Sequence, residues 1–238
     1  MDSKVRLHVA GPLGPGQSVA VGKDQAHYLG GVMRLAAEDT ITVFDGEAGA
    51  WRARIRTISK RGATLVCETQ TAPQRLPPDI WLMFAPIKKA RTDFIVEKAA
   101  ELGAARILPV TTDHTNSERI RRDRLQAHAV EAAEQCGGTF VPEIAELMPL
   151  GRLLDRWPED RALIFCDEAL VGDAMPTLPS SPAAILIGPE GGFSTEERAR
   201  LRAMPQGTTM ALGPRILRAD TAAVAALTLW QAAQGDWQ

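Results

Sequence analysis

Apolar and β-branched residues in the first 70 positions come in short runs: Val19–Val21, Thr40–Phe44, Trp51–Ile58 and Ala63–Thr69. Turn formers separate them at Gly14-Pro15-Gly16, Asp45-Gly46 and Arg61-Gly62. Runs of this length bounded by glycine and proline predict strands, with one short helix around Asp24–Arg34. The whole reads as a small β barrel or sheet. Thr71–Pro78 then carries three prolines in eight residues, the composition of a linker.

Beyond the linker the period changes. Ile80–Ala85 is an apolar run of strand length. Thr92 or Asp93 can cap a helix with Ile95, Val96, Ala99 and Leu102 at helical spacing and Gly103 as its stop. A strand at Arg106–Val110, a long helix from about Ser117 to Cys136 and a shorter one at Leu150–Trp157 follow. Strands Ala162–Cys166 and Ala183–Ile187 come next, and Ser194 with Glu197 has the spacing of a capping box. Thr208–Leu212 is the last predicted strand and Asp220–Ala233 the last helix. Strand alternating with helix implies an α/β domain with a mostly parallel sheet. Two domains are expected, residues 1–72 and 78–238.

Composition narrows the class. A 238-residue chain with 45% hydrophobic and 24% charged residues sits near the globular average, which excludes global disorder. Its longest apolar stretches are far too short to span a bilayer, and Met1-Asp2-Ser3-Lys4 lacks the pattern of a signal peptide. Cys67, Cys136 and Cys166 lie far apart with no C-x-x-C pair, so reduced thiols in a cytoplasmic protein without a metal site are expected. The net charge of −2 hides an asymmetry: residues 1–75 hold ten basic and seven acidic side chains. In Trp51–Ile58 the arginines Arg52, Arg54 and Arg56 alternate with Ala53, Ile55 and Thr57, so a strand would put all three on one face. Such a stripe suits a phosphate backbone or is simply a solvated face. The charges of Glu97, Glu101 and Arg119–Arg124 read as solvated helix faces.

Two segments break the hydrophobic period with glycines at strand ends. Ile187-Gly-Pro-Glu-Gly-Gly-Phe-Ser194 follows an apolar strand and precedes a capped helix. Leu212-Gly-Pro-Arg-Ile-Leu-Arg-Ala-Asp-Thr-Ala222 places Ile216 and Leu217, too apolar for a free loop, between Arg215 and Arg218, with Asp220 or Thr221 as helix cap. Ligands in parallel sheets bind beyond the carboxyl ends of strands, where glycine lets backbone come close. Neither the P-loop lysine nor G-x-G-x-x-G is present, which disfavours triphosphate and dinucleotide sites.

Together these segments, with Val96–Gly103, Glu131–Gly137 and Ala26–Leu35, resemble the ribosomal RNA small subunit methyltransferase E family of the SPOUT superfamily. The matches run over nearly the whole chain in the family's order. Three places depart from it: Ala219-Asp220 where the family has Thr-Glu, Gly138 where it commonly has Arg, and Thr111–Thr115 in place of T-E-R-S. The last two departures are expected to lie away from the cofactor loops.

The resemblance implies a C-terminal SPOUT domain, a parallel sheet with a trefoil knot, preceded by a small PUA-like RNA-binding β barrel. It implies a homodimer that binds S-adenosylmethionine at Ile187, Gly188, Pro189, Glu190, Gly191, Leu212, Gly213, Ile216, Leu217 and Arg218. The reaction implied is methylation of a uridine at N3 in small-subunit (16S) ribosomal RNA, free or in the assembled subunit. Arg218 is then the first choice to stabilise the charge that develops on the base, and Asp220 or Glu190 to take its proton. Against these stand plainer roles, a helix cap for Asp220 and loop or dimer support for Glu190. Arg6, Arg34, Arg52, Arg54 and Arg56 are the RNA-contact candidates. Alternatives are a SPOUT enzyme with another RNA target and a catalytically degenerate RNA-binding protein.

Overall fold

The computed structural model describes residues 5–117, 119–170 and 176–237. They fall into two compact units, Met1–Leu76 with Ala133–Val141, and Pro77–Ala132 with Pro142–Gln238.

The first unit is a five-stranded sheet of β1 (Arg6–His8), β2 (Ser18–Val21), β3 (Thr40–Phe44), β4 (Ala50–Ser59) and β5 (Gly62–Ala72), ordered β1-β3-β4-β5-β2. Only β1 and β3 pair in parallel. Alternation along β5 buries Ala63, Leu65 and Cys67 against Leu7, Leu29, Ile41, Val43 and Ile55, the pattern of a sheet packed on one face. β5 runs through Ala72, so strand occupies the start of the expected linker. The helix expected at Asp24–Arg34 is shorter and changes type: α1 (Lys23–His27) passes into a π-helical turn, Tyr28–Val32. Gly30 and Gly31 sit in that turn, where the missing side chains weaken the α ladder.

The second unit holds β6 (Ile80–Phe84), β7 (Arg106–Thr111), β8 (Glu143–Ile144), β9 (Met148–Pro149), β10 (Ala162–Cys166), β11 (Ala183–Ile187) and β12 (Gly207–Met210). The order is β12-β10-β11-β6-β7-β8, with β9 also on β7, and every pair is parallel. Helices α2 (Lys89–Glu101), α3 (Arg122–Cys136), α4 (Leu150–Leu154), α5 (Thr195–Ala203) and α6 (Ala219–Gln234) complete it. All five residues of β11 are buried, as a strand covered on both faces requires. Arg161, just before β10, closes the amino-terminal edge of this sheet. Its guanidinium donates to Asp79 Oδ1 and Oδ2 at 3.0 and 2.7 Å and to the Ala183 carbonyl at 3.1 Å, and it stacks on Trp81.

Two helix starts differ from expectation. α2 begins at Lys89, capped by the backbone of Lys88, and Thr92 lies inside it with its hydroxyl turned back to Ile87. α3 begins at Arg122 rather than near Ser117, because the preceding segment satisfies itself locally: the Thr112 N–H donates to Thr115 Oγ1 at 2.8 Å. Glu118 lies outside the described residues. Among the described residues no helix is long and apolar enough to cross a membrane.

Candidate active site

The register of the parallel sheet sets three strand ends side by side. Cys166 pairs with Ile187 on one flank and Met210 on the other. The loops leaving β10, β11 and β12 therefore start at one level on the carboxyl edge, where open parallel sheets bind ligands. Between them lies a cavity of about 410 Å³, a size that suits a small molecule.

Ile187, Gly188, Pro189, Glu190, Leu212, Gly213, Ile216, Leu217 and Arg218 all line it. Gly191 does not, and its flank is turned to His114 instead. A side chain at Gly188 would come within 3.0 Å of the Phe193 ring, so glycine here lets Phe193 tuck under the strand end. Gly213 has φ +88 with open space beside it, a turn that only glycine makes without strain. Ile216 forms part of the wall yet is 73% exposed, an apolar surface with no protein against it.

The loop after β10 brings charges that neither a glycine segment nor a hydrophobic period marks in the sequence. Asp167 has no exposed side-chain surface; it accepts from Arg198 Nε at 3.1 Å, Arg202 Nη2 at 2.8 Å and the Ala169 N–H at 3.0 Å. Glu168 also pairs with Arg198. Both acids line the cavity, as do Met210, Arg215, Ala219 and Ala222. Burial pushes the Cys166 thiol up to about 12, so this lining residue stays protonated and is no nucleophile at neutral pH.

Arg218 is exposed and occupies the cap position of α6, its side chain making no capping bond. Asp220, expected as that cap, instead lies in the first helical turn, with Oδ1 accepting the Thr221 N–H at 2.8 Å. It stands outside the cavity wall, 18% exposed, whereas Glu190 lines the wall and is 49% exposed. Both carboxylates lie near Arg91, at 3.6 and 3.7 Å. Periodicity gave no hint of Arg91.

The departure at Thr111–Thr115 reaches the glycine loop after β11, from which it was expected to lie apart. His114 Nδ1 lies 3.0 Å from the Gly191 carbonyl and 3.2 Å from that of Gly192. Asp113 shares a 2.5 Å hydrogen bond with the Ser194 hydroxyl, and its N–H donates to Glu197. Ser194 and Glu197 form the capping box of α5, so the loop after β7 braces the glycine loop and the helix behind it.

In the first unit the arginines differ sharply. Arg6 is half-buried, over the Phe44 ring, and donates to the Gly138 carbonyl at 2.7 Å. Arg52 and Arg54 both pair with Glu68, and Arg54 also with Glu38. Arg34, with φ 57, and Arg56 are exposed.

Residues 74–231 match the RNA methyltransferase domain family, and residues 21–67 the PUA domain of RNA methyltransferases. The class is therefore that of the RNA methyltransferases that join a PUA domain to an α/β domain. A ribosomal RNA small subunit methyltransferase E of Synechocystis is 32% identical over 212 residues, covering 85% of this chain and 69% of the relative. Its namesake in Rickettsia conorii is 25% identical, with 93% of each chain covered. The crystal structure of ribosomal RNA small subunit methyltransferase E from Neisseria gonorrhoeae, bound to S-adenosyl methionine, matches with a TM-score of 0.87 at 28% identity over 98% of this chain and 99% of that one. The chain belongs to the ribosomal RNA small subunit methyltransferase E family.

Proposed function

We propose that this chain uses S-adenosylmethionine to methylate N3 of a uridine in small-subunit ribosomal RNA. The proposal includes a cytoplasmic homodimer and the trefoil threading that the family resemblance implies. The cavity at three adjacent strand ends carries the reading. Its residues fit the cofactor: Ile216 and Leu217 offer an apolar wall for a purine, Gly213 opens backbone to a ligand, and Glu168 is an acceptor for hydroxyl groups. When bound, S-adenosylmethionine supplies an electrophilic methyl group.

The remaining demands fall on this chain's side chains. N3 lies on the Watson–Crick edge, so the uridine must be unpaired to present it. Its imide proton is weakly acidic, and charge spreads to both carbonyl oxygens as it leaves. Arg218, exposed at the cavity, has the planar fork that stabilises such charge. Glu190 or Asp220 takes the proton. Arg34 and Arg56 are free to meet phosphates, and Arg52 and Arg54 do so only in competition with Glu68.

The test is methyl transfer from labelled S-adenosylmethionine to small ribosomal subunits from a strain lacking the endogenous activity, followed by nucleoside analysis. Label in 3-methyluridine is expected. Label elsewhere would redirect the enzyme to another RNA target. Neither label nor saturable cofactor binding would sink the enzyme reading.

A further inference from the structure

Arg91 stands on the first turn of α2, just after the loop that leaves β6. Register pairs Phe84, at the end of β6, with Ile187 at the end of β11, so this turn sits beside the glycine loop. Helix α2 also packs against α6. From there Nη1 of Arg91 reaches 3.7 Å from Glu190 Oε1 and 3.6 Å from Asp220 Oδ2. Nη1 is buried and makes no hydrogen bond. Both separations exceed hydrogen-bond length, yet they are short enough for a strong charge interaction. A buried guanidinium nitrogen with unspent donors is costly unless the site around it uses that charge.

We infer that Arg91 is a positioning residue of the active site, holding Glu190 and Asp220 in place so that one of these carboxylates can accept the uridine N3 proton. The inference rests on the proton-transfer role proposed above for those two acids. The three side chains come from three elements: Glu190 from the loop after β11, Asp220 from the start of α6, and Arg91 from α2. Asp220 Oδ1 is already engaged by Thr221, which leaves Oδ2 toward Arg91. In the proton step the N3–H bond breaks, the electron pair stays on N3, an O–H bond forms on the carboxylate, and the proton later passes to solvent.

Other charges surround the same place. Lys88 and Lys89 precede Arg91 in the chain, Arg215 and Arg218 come from the loop before α6, and Asp167 and Glu168 line the cavity that Glu190 also lines. Asp93, on the same helix, is occupied by Arg124 and His128 of α3.

The experiment measures initial methylation rates against the concentration of deficient small subunits, together with calorimetric binding of S-adenosylmethionine and thermal unfolding. It compares the wild type with Arg91→Gln, Arg91→Lys, Asp220→Asn and Glu190→Gln. Arg91→Gln is expected to bind cofactor and ribosomal subunits within about threefold of wild type, as calorimetry and KM read them, while losing kcat by on the order of 10²-fold. Arg91→Lys should recover only part of kcat, since its shorter stem sets the ammonium short of the point that Nη1 occupies beside both acids. Wild-type kcat in Arg91→Gln would overturn the inference while an impaired Asp220→Asn or Glu190→Gln upheld the carboxylate role. Joint loss of cofactor binding and thermal stability in Arg91→Gln would also overturn it, as a merely structural effect. Unchanged rates in both Asp220→Asn and Glu190→Gln would remove the proton-transfer role and the inference with it. A wild type that makes no 3-methyluridine would defeat the proposed function itself, and this inference too.

Discussion

Strand β5 of the first unit buries Ala63, Leu65 and Cys67 and turns Thr64, Val66 and Glu68 outward, whereas β11 of the second unit buries every residue it has. A half-covered antiparallel sheet can show charge along its face, and there Arg52 and Arg54 meet Glu68. A doubly covered parallel sheet has no such face. Its polar chemistry is forced to the strand ends, with Arg161 at the amino edge and the cavity at the carboxyl edge. The first arrangement spreads small, screened interactions over a surface. The second concentrates large, unscreened ones at a few residues.

Substitution at the carboxyl edge should break that contrast most severely. Gly213→Val places a β-branched residue at a positive φ beside the cavity, and cofactor affinity should fall by on the order of 100-fold in calorimetry. Unchanged affinity would show that the turn at Gly213 does not shape the site. At the amino edge, Arg161→Ala strands Asp79 and removes the stack on Trp81. It should cost about 3 kcal/mol in urea unfolding, the low end for a buried pair because Asp79 is half-exposed. Cofactor affinity should not change, and a parallel loss would mean that the two edges are not separable.

Effects in the first unit should be smaller. Arg56→Gln should weaken RNA binding several-fold and lower the salt slope by about 1, with Arg54→Gln doing less because Glu68 already offsets that charge. Equal effects would mean that RNA displaces Glu68 from its partners. Smallest of all, Glu68→Gln should tighten RNA binding by about twofold at low salt and leave thermal stability nearly unchanged. The hydrogen bond from Arg54 holds the Glu68 carboxyl below the usual carboxylate range. The pair therefore contributes above the ordinary glutamate pKa and is lost as pH falls through the lowered value, so the Glu68→Gln difference should vanish in acid.

The sequence pattern revealed the strands of both sheets best where burial is simplest. Ala162–Cys166 and Ala183–Ile187 are uninterrupted apolar runs and appear with those bounds. β1, β8 and β9 are two or three residues long, too short to carry a period. The start of α2 was hidden because Thr92, a capping residue type, spends its hydroxyl on Ile87 within the helix. The cavity was visible as two glycine segments because glycine at a strand end has no hydrophobic reason to be there. Asp167, Arg91 and His114 were not visible. Each acts through partners distant in the chain: Arg202 for Asp167, Asp220 for Arg91, and Gly191 for His114.

The brace at His114 has a consequence for proton inventory. Carbonyl oxygens only accept, so the contacts with Gly191 and Gly192 require hydrogen on Nδ1. The ring is thereby fixed with a hydrogen on Nδ1, so the loop after β7 fastens the glycine loop as a donor.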